Sequence, residues 1–174
     1  MSQYQVFGPF RVHKNGFLVD RSRGADLWNA VEQCEAGLST AVGCYILGIR
    51  AGRGAKPWYV GMTESRDFKG ECWSPHKLNL CNEALNGRRR GTVILYLVAK
   101  RTKGGRFAKP RKKGIGDVRA LENLLIGTCL LRNRELLNAR QTKHLRGIVV
   151  PGYMNEQPGA RPAAARELAT LLGT

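Results

Sequence analysis

At 174 residues the chain is long enough for one domain with a substantial core and too short for two ordinary ones. Its 29 Lys and Arg against 13 Asp and Glu give a formal charge of +16, which points to a polyanionic partner, nucleic acid first. No apolar run approaches the roughly 20 residues of a membrane-spanning helix, and the five cysteines show neither a Cys-x-x-Cys pair nor zinc-ligand spacing, so no membrane partner and reduced, mostly buried thiols are expected.

The opening Met1-Ser2-Gln3-Tyr4 lacks the basic-then-apolar order of a secretory signal, and a cytoplasmic location is expected. Residues 1–42 read as an extension packed on a core. Within it, apolar runs Val6 to Val12 and Gly16 to Val19 flank Lys14-Asn15-Gly16, where the Asn-Gly step signals a hairpin. Asp26 to Cys34 carries apolar residues three and four apart, which predicts a short helix. Gly43-Cys44-Tyr45-Ile46-Leu47 and Trp58-Tyr59-Val60-Gly61-Met62-Thr63 are β-rich runs separated by Gly52, Gly54 and Pro57; they read as a second hairpin with one tyrosine at a matching point on each strand.

Cys72, Trp73, His76, Leu78, Leu80, Cys81, Ala84 and Leu85 mark a helix with Ser74-Pro75 near its start and Gly87 at its end. Arg88-Arg89-Arg90 follows, and Thr92 to Ala99 is an apolar, β-branched run of strand length, read as a central third strand. Residues 100–116 form a loop dense in Lys, Arg and Gly, whose composition predicts disorder in the absence of a ligand. Asp117 is expected to cap a helix over 118–131 that carries Glu122. Residues 141–174 read as a C-terminal extension, Pro-, Gly- and Ala-rich past Pro151, with a helix predicted over Ala163 to Leu172.

The two tyrosine-bearing strands resemble the paired Gly-Ile-Tyr and Tyr-Ile-Gly strands of the GIY-YIG nuclease family. Tyr45 stands at the first-motif tyrosine, Tyr59 at the second, and Gly61 closes the motif, with Cys44 and Val60 where the family favours isoleucine. Glu122, in Leu121-Glu122-Asn123-Leu124-Leu125, matches the family's metal-binding glutamate, and Leu137-Asn138 resembles its downstream asparagine. The resemblance covers residues 43–140 and implies an α+β fold, a small three-stranded antiparallel sheet flanked by helices. It further implies an endonuclease that hydrolyses phosphodiester bonds in DNA with a tyrosine general base, one Mg²⁺ or Mn²⁺ per site on Glu122, and Asn138 in support. A free tyrosine, with a pKa of about 10, is a weak base at neutral pH, and neighbouring cations favour its phenolate. Without the resemblance, the tyrosines read as cross-strand packing residues and Glu122 as a solvated helix carboxylate.

One family feature is replaced. Where the family carries a helical arginine, about ten residues beyond the second tyrosine, this chain has Lys69, with Arg66 three residues early and His76-Lys77 a turn or two late. Lysine neutralises phosphate as a point charge without arginine's bidentate geometry. Lys69 is the first choice for that role and Lys77 the second; His76 either assists proton transfer or simply begins a helix. Arg66, Arg88, Arg89, Arg90, Lys103, Arg106, Arg111, Lys112 and Lys113 are the candidate nucleic-acid contacts. The alternative function is a non-catalytic basic nucleic-acid-binding protein. Within the nuclease reading, a stand-alone restriction-type enzyme is preferred to a structure-selective one, and the oligomeric state is open, a homodimer being one option.

Overall fold

The computed structural model describes residues 2–52, 54–85, 91–138, 142–151 and 162–172, with nothing stated of the side chains of 143–145. The β-branched and aromatic runs become the strands, as their fit to a half-buried pleated surface requires. In chain order the elements are β1 (Gln3–Val12), β2 (Lys14–Asn15), β3 (Leu18–Val19), α1 (Gly24–Cys34), β4 (Gly43–Ala51), β5 (Gly54–Thr63), α2 (Phe68–Cys72), α3 (Pro75–Leu85), β6 (Thr92–Arg101), α4 (Gly116–Arg132), α5 (Thr142–Gly147) and α6 (Ala163–Leu172). The architecture is α+β, built on an antiparallel sheet in the order β1-β6-β4-β5, with β2 and β3 as a separate small hairpin at the Asn-Gly turn.

The sheet has four strands where three were expected. Strand β1 comes from the N-terminal extension and pairs with β6 from Gln3–Arg101 to Val12–Val93, with a register shift between Phe7 and Phe10. Strand β6 is buried on both faces and pairs along both edges, which makes it an interior strand. One face of the sheet carries Tyr45, Leu47, Ile49, Leu95 and Leu97 against Leu27, Trp28 and Val31 of α1, Phe68 and Cys72 of α2, and Cys81 and Leu85 of α3. The other carries Cys44 and Val98 under Val118, Leu121 and Leu125 of α4. All five cysteines are free, four of them buried.

Local chemistry sets the helix boundaries. Asp67 caps α2, its carboxylate accepting from the Gly70 N–H at 2.7 Å. The helix expected from Ser74-Pro75 onward is α3, with Pro75, which has no N–H to donate, at its first position; the short helix α2 before it was not expected. Asp117 does not cap α4; it lies in the first turn, where its carboxylate pairs with the Lys100 ammonium and ties α4 to β6.

The basic loop is ordered rather than disordered. Thr102 N–H donates to the Arg106 carbonyl at 2.8 Å, Ala108 N–H to that of Lys100 at 2.9 Å, and Val42 N–H to that of Ala108 at 3.1 Å. Phe107 packs edge-on against Phe7 with ring centroids 5.8 Å apart. Composition predicts disorder when apolar burial is scarce; here backbone pairing and one aromatic residue supply what the lysines and arginines cannot.

The chain divides into two compact units, Met1–Leu137 and Asn138–Thr174. In the second, Thr142 donates to the Asn138 carbonyl, and α6 exposes Leu171 and Leu172 while burying Ala169. Arg88, Arg89 and Arg90 lie outside the described residues. Among the described residues no helix is long and apolar enough to cross a membrane.

Gly61 is required by packing. It pairs with Tyr45 across the β4–β5 ladder, and a Cβ placed on it would lie 2.4 Å from the Tyr45 ring and hydroxyl. Tyr45 is fully buried, so its ring has no room to yield. Gly61→Ala is expected to lower the free energy of unfolding by about 1–3 kcal/mol, read as a drop in the urea midpoint; an unchanged midpoint would show that the Tyr45 ring is free to move.

Candidate active site

Tyr59 points to the Tyr45 face by ordinary strand alternation, and a bulge beside it adds Trp58 to the same face. On β5, Tyr59 lies opposite Leu47 and Pro57 opposite Gly48, leaving Trp58 as the extra residue. Proline is tolerated at such a break because the ladder there lacks a regular donor. Trp58 and Tyr59 consequently both turn toward the side of the sheet that carries α1, α2 and α3. The two tyrosines are not directly opposite one another as the hairpin reading suggests: Tyr45 faces Gly61 and Tyr59 faces Leu47. Their rings still meet on the diagonal, with centroids 6.1 Å apart and planes tilted by 44°.

Their environments separate them. Tyr45 is fully buried, and its hydroxyl has no hydrogen-bond partner among the described residues. Burial, with Cys72, Tyr59 and Glu71 adding to it, drives that hydroxyl far above the ordinary tyrosine value. Tyr45 is therefore a neutral phenol that backs the site. Tyr59 is only half-buried, and its hydroxyl accepts a hydrogen bond from the Lys77 ammonium at 2.6 Å.

Lys77 comes from the first turn of α3 and is 8% exposed. Its Nζ also lies 3.6 Å from Glu71 Oε1 and 4.5 Å from the Tyr59 ring centroid. The structure thus brings Lys77 to Tyr59, whereas Lys69, the first choice from sequence, is exposed on α2, and His76 and Arg66 are exposed as well. Counting about ten residues beyond Tyr59 ends at Lys69, exposed on α2, whereas the first turn of α3 is what brings Lys77 to the Tyr59 hydroxyl.

Glu122 arrives from α4. Half-buried, it makes no hydrogen bond or ion pair among the described residues. Burial raises its pKa, Lys77 pulls it down and Glu64 pushes it up, with the balance upward. Its charge also reaches beneath the helix: the Cys44 thiol is pushed up to about 12, by burial first and then by Glu122 and Asp117. Glu122, Lys77 and Glu64 share one electrostatic neighbourhood.

Glu64 was not anticipated from sequence. Buried just beyond β5, it accepts from Arg119 Nε at 2.8 Å and Nη2 at 2.5 Å, and from the Ile115 N–H at 2.5 Å. The Arg119 hydrogen bonds outweigh burial and hold its carboxyl below the usual range. The one sequence signal was Arg119 itself, three residues before Glu122 and so on the same side of the helix.

Of the remaining candidates, Lys103, Arg106, Arg111, Lys112 and Lys113 are exposed on the β6–α4 loop. An open groove of about 740 Å³ beside that loop is lined by Arg101, Arg106, Lys109 and Arg111. Glu35 and Phe107 line the same groove and hold Arg101, its guanidinium 2.6 Å from Glu35 and 4.0 Å over the Phe107 ring. Asn138 is buried in the second unit.

Among the described residues no group of three or more His, Cys, Asp and Glu side chains is placed to hold a metal ion. A site with one carboxylate still suits Mg²⁺, which binds hard oxygens through one or two carboxylates and keeps several waters. Glu122, half-buried and lacking a counter-charge in direct contact, fits that requirement. Comparison of the chain with protein-family models, curated proteins and solved structures returned no match.

Because Lys77 lowers the Glu122 pKa, Lys77→Met is expected to raise it further, whereas Lys69→Ala leaves it in place; a carboxyl NMR titration in metal-free buffer reads both, and an unmoved Glu122 in the Lys77 variant would uncouple the two groups. The raised pKa also means that ionised Glu122 weakens the fold. Its penalty is absent below the ordinary carboxylate pKa and develops as pH rises through the raised value. Metal-free Glu122→Gln is therefore expected to melt slightly higher than the parent at neutral pH, with the difference vanishing in acid; a lower melting temperature at neutral pH would refute the assignment of an only partly compensated charge.

Proposed function

We propose that this chain is a GIY-YIG-type endonuclease that hydrolyses phosphodiester bonds in DNA. The observation that carries the reading is the 2.6 Å hydrogen bond from Lys77 to Tyr59, formed within the electrostatic reach of Glu122. A buried ammonium on a phenol oxygen is poor stabilisation, since apolar residues of similar volume often serve the fold as well or better. A half-buried carboxylate without a partner is worse. Together they are groups arranged for chemistry at some expense to the fold.

In this mechanism Tyr59 acts as the phenolate and takes the proton of the attacking water, becoming a neutral phenol. Lys77, a donor only, holds the phenol oxygen and supplies positive charge where charge develops on the phosphate. Glu71 steadies Lys77 from 3.6 Å, and Tyr45 packs behind Tyr59 as a neutral phenol. Glu122 would hold the divalent cation, Mg²⁺ or Mn²⁺, which when bound polarises the phosphate and stabilises the leaving 3′-oxygen. The upward pKa of Glu122 supports that role, since burial disfavours its charge and Lys77 offsets that only in part. Exposed Arg66, Lys103, Arg106, Arg111, Lys112 and Lys113 would meet flanking phosphates.

Incubation with defined single-stranded, duplex and branched DNA plus Mg²⁺ or Mn²⁺ tests the reading. Single-turnover cleavage is expected to fall by about 10²-fold or more in Tyr59→Phe and by several kcal/mol of transition-state stabilisation in Glu122→Gln, with DNA binding retained in both. His76→Ala and Lys69→Ala are expected to cost far less. Tight binding by the parent protein without cleavage of any of these substrates would leave the non-catalytic binding protein as the function.

A further inference from the structure

The residues from 109 to 115 are fastened to the end of β5 through one side chain and its own backbone. The Arg111 N–H donates to the Glu64 carbonyl at 2.7 Å, and the Ile115 N–H donates to Glu64 Oε2 at 2.5 Å. Between them Gly114 adopts a φ of +72°, and a Cβ there would fall 2.7 Å from Arg119 Nη2 and 2.9 Å from Glu64 Oε2. Only glycine lets the backbone pass this close to the ion pair in that conformation. The Arg119 side chain is 60% exposed although bound to Glu64, so donors remain for a second acceptor.

We infer that Glu64 is a clasp that pre-forms a phosphate-binding rim, holding Arg111, Lys112 and Lys113 with Arg119 along the N-terminal end of the helix that carries Glu122, to receive the backbone of duplex DNA. The inference rests on the nucleic-acid part of the proposed function and not on cleavage. Lysines and arginines on a flexible loop would have to be ordered on binding, which subtracts from affinity; a loop already bonded at 111 and 115 avoids most of that loss. Glu64 serves the rim although its own charge is negative, and that makes the idea testable by sign.

Simple electrostatics predicts that removing a carboxylate from a chain of charge +16 leaves DNA binding equal or tighter. The clasp predicts the reverse. Binding of a fluorescent 20-base-pair duplex is measured in EDTA over a salt series, with folding checked by circular dichroism. Glu64→Gln is expected to weaken binding about tenfold. Gly114→Ala changes no charge, lies on the surface loop, and is expected to weaken binding similarly; it decides the matter if the Glu64 variant does not fold. Neutralising Arg111, Lys112 and Lys113 together should lower the log–log salt slope by about 0.9 for each phosphate that these side chains neutralise in the parent complex. Unchanged or tighter binding by folded Glu64→Gln, or unchanged binding by Gly114→Ala, overturns the rim while leaving the nuclease reading intact. Binding by the parent without metal-dependent cleavage removes the nuclease and not the rim. A parent protein that does not bind the duplex removes the rim, and one that also cleaves none of the single-stranded, duplex and branched substrates removes the nuclease.

Discussion

A buried ammonium must find acceptors or lose its charge, and the burial of Lys77 is the constraint on which this site depends. Lys77 reaches its place because Pro75 starts a new helix after α2 and puts Lys77 in its first turn. It finds the Tyr59 oxygen because Tyr59, opposite Leu47 in regular register, faces the side of the sheet on which α3 packs. It keeps a nearby carboxylate because the short helix α2 ends beside it and offers Glu71. Behind these, the absent side chain of Gly61 admits the Tyr45 ring, which fills the volume beneath Tyr59. Each feature is local and ordinary, and their intersection sets a cation, a phenol and a partly compensated carboxylate in one neighbourhood.

The positive charge of the chain is handled in two ways. Lys77, Lys100, Arg101 and Arg119 are paired with Glu71, Asp117, Glu35 and Glu64, so much of the small acidic complement is used to hold particular cations. These pairs join elements distant in sequence: Lys100–Asp117 joins β6 to α4, Arg101–Glu35 joins β6 to the end of α1, and Arg119–Glu64 joins α4 to the end of β5. Where the side chains are largely exposed, such pairs add little stability; their contribution here is orientation. The remaining loop cations repel one another, and backbone hydrogen bonds hold the loop against that repulsion. Under the proposed function, such an ordered, unneutralised surface would meet the phosphates of DNA.

Much of the organisation was legible along the chain. The helices over 24–34, 116–132 and 163–172, the Asn-Gly hairpin and the strands bearing the two tyrosines all follow from periodicity and turn chemistry, which act over a few residues. The N-terminal strand was visible as an apolar run but not as a sheet member. Its register shift at Gly8-Pro9 interrupts the alternation that marks a strand, and its partner β6 lies far along the chain, from Val12–Val93 to Gln3–Arg101. The loop after β6 misled in the opposite direction, because composition counts charges and does not see the carbonyls of Lys100 and Glu64 that bind it.

For the site, sequence alone determined the residue types and their order: two tyrosines on adjacent strands, Gly61 closing the second, a glutamate on a later helix, and lysines between. These follow from spacing within single elements, where the backbone repeat dictates which positions share a face. Only the tertiary structure decided which lysine meets Tyr59, that Tyr45 is sealed from solvent, and that Glu64 and Arg119, 55 residues apart, bind each other. Those outcomes depend on where helices pack. Nothing in the local pattern distinguishes Lys77, buried on α3, from Lys69, exposed on α2.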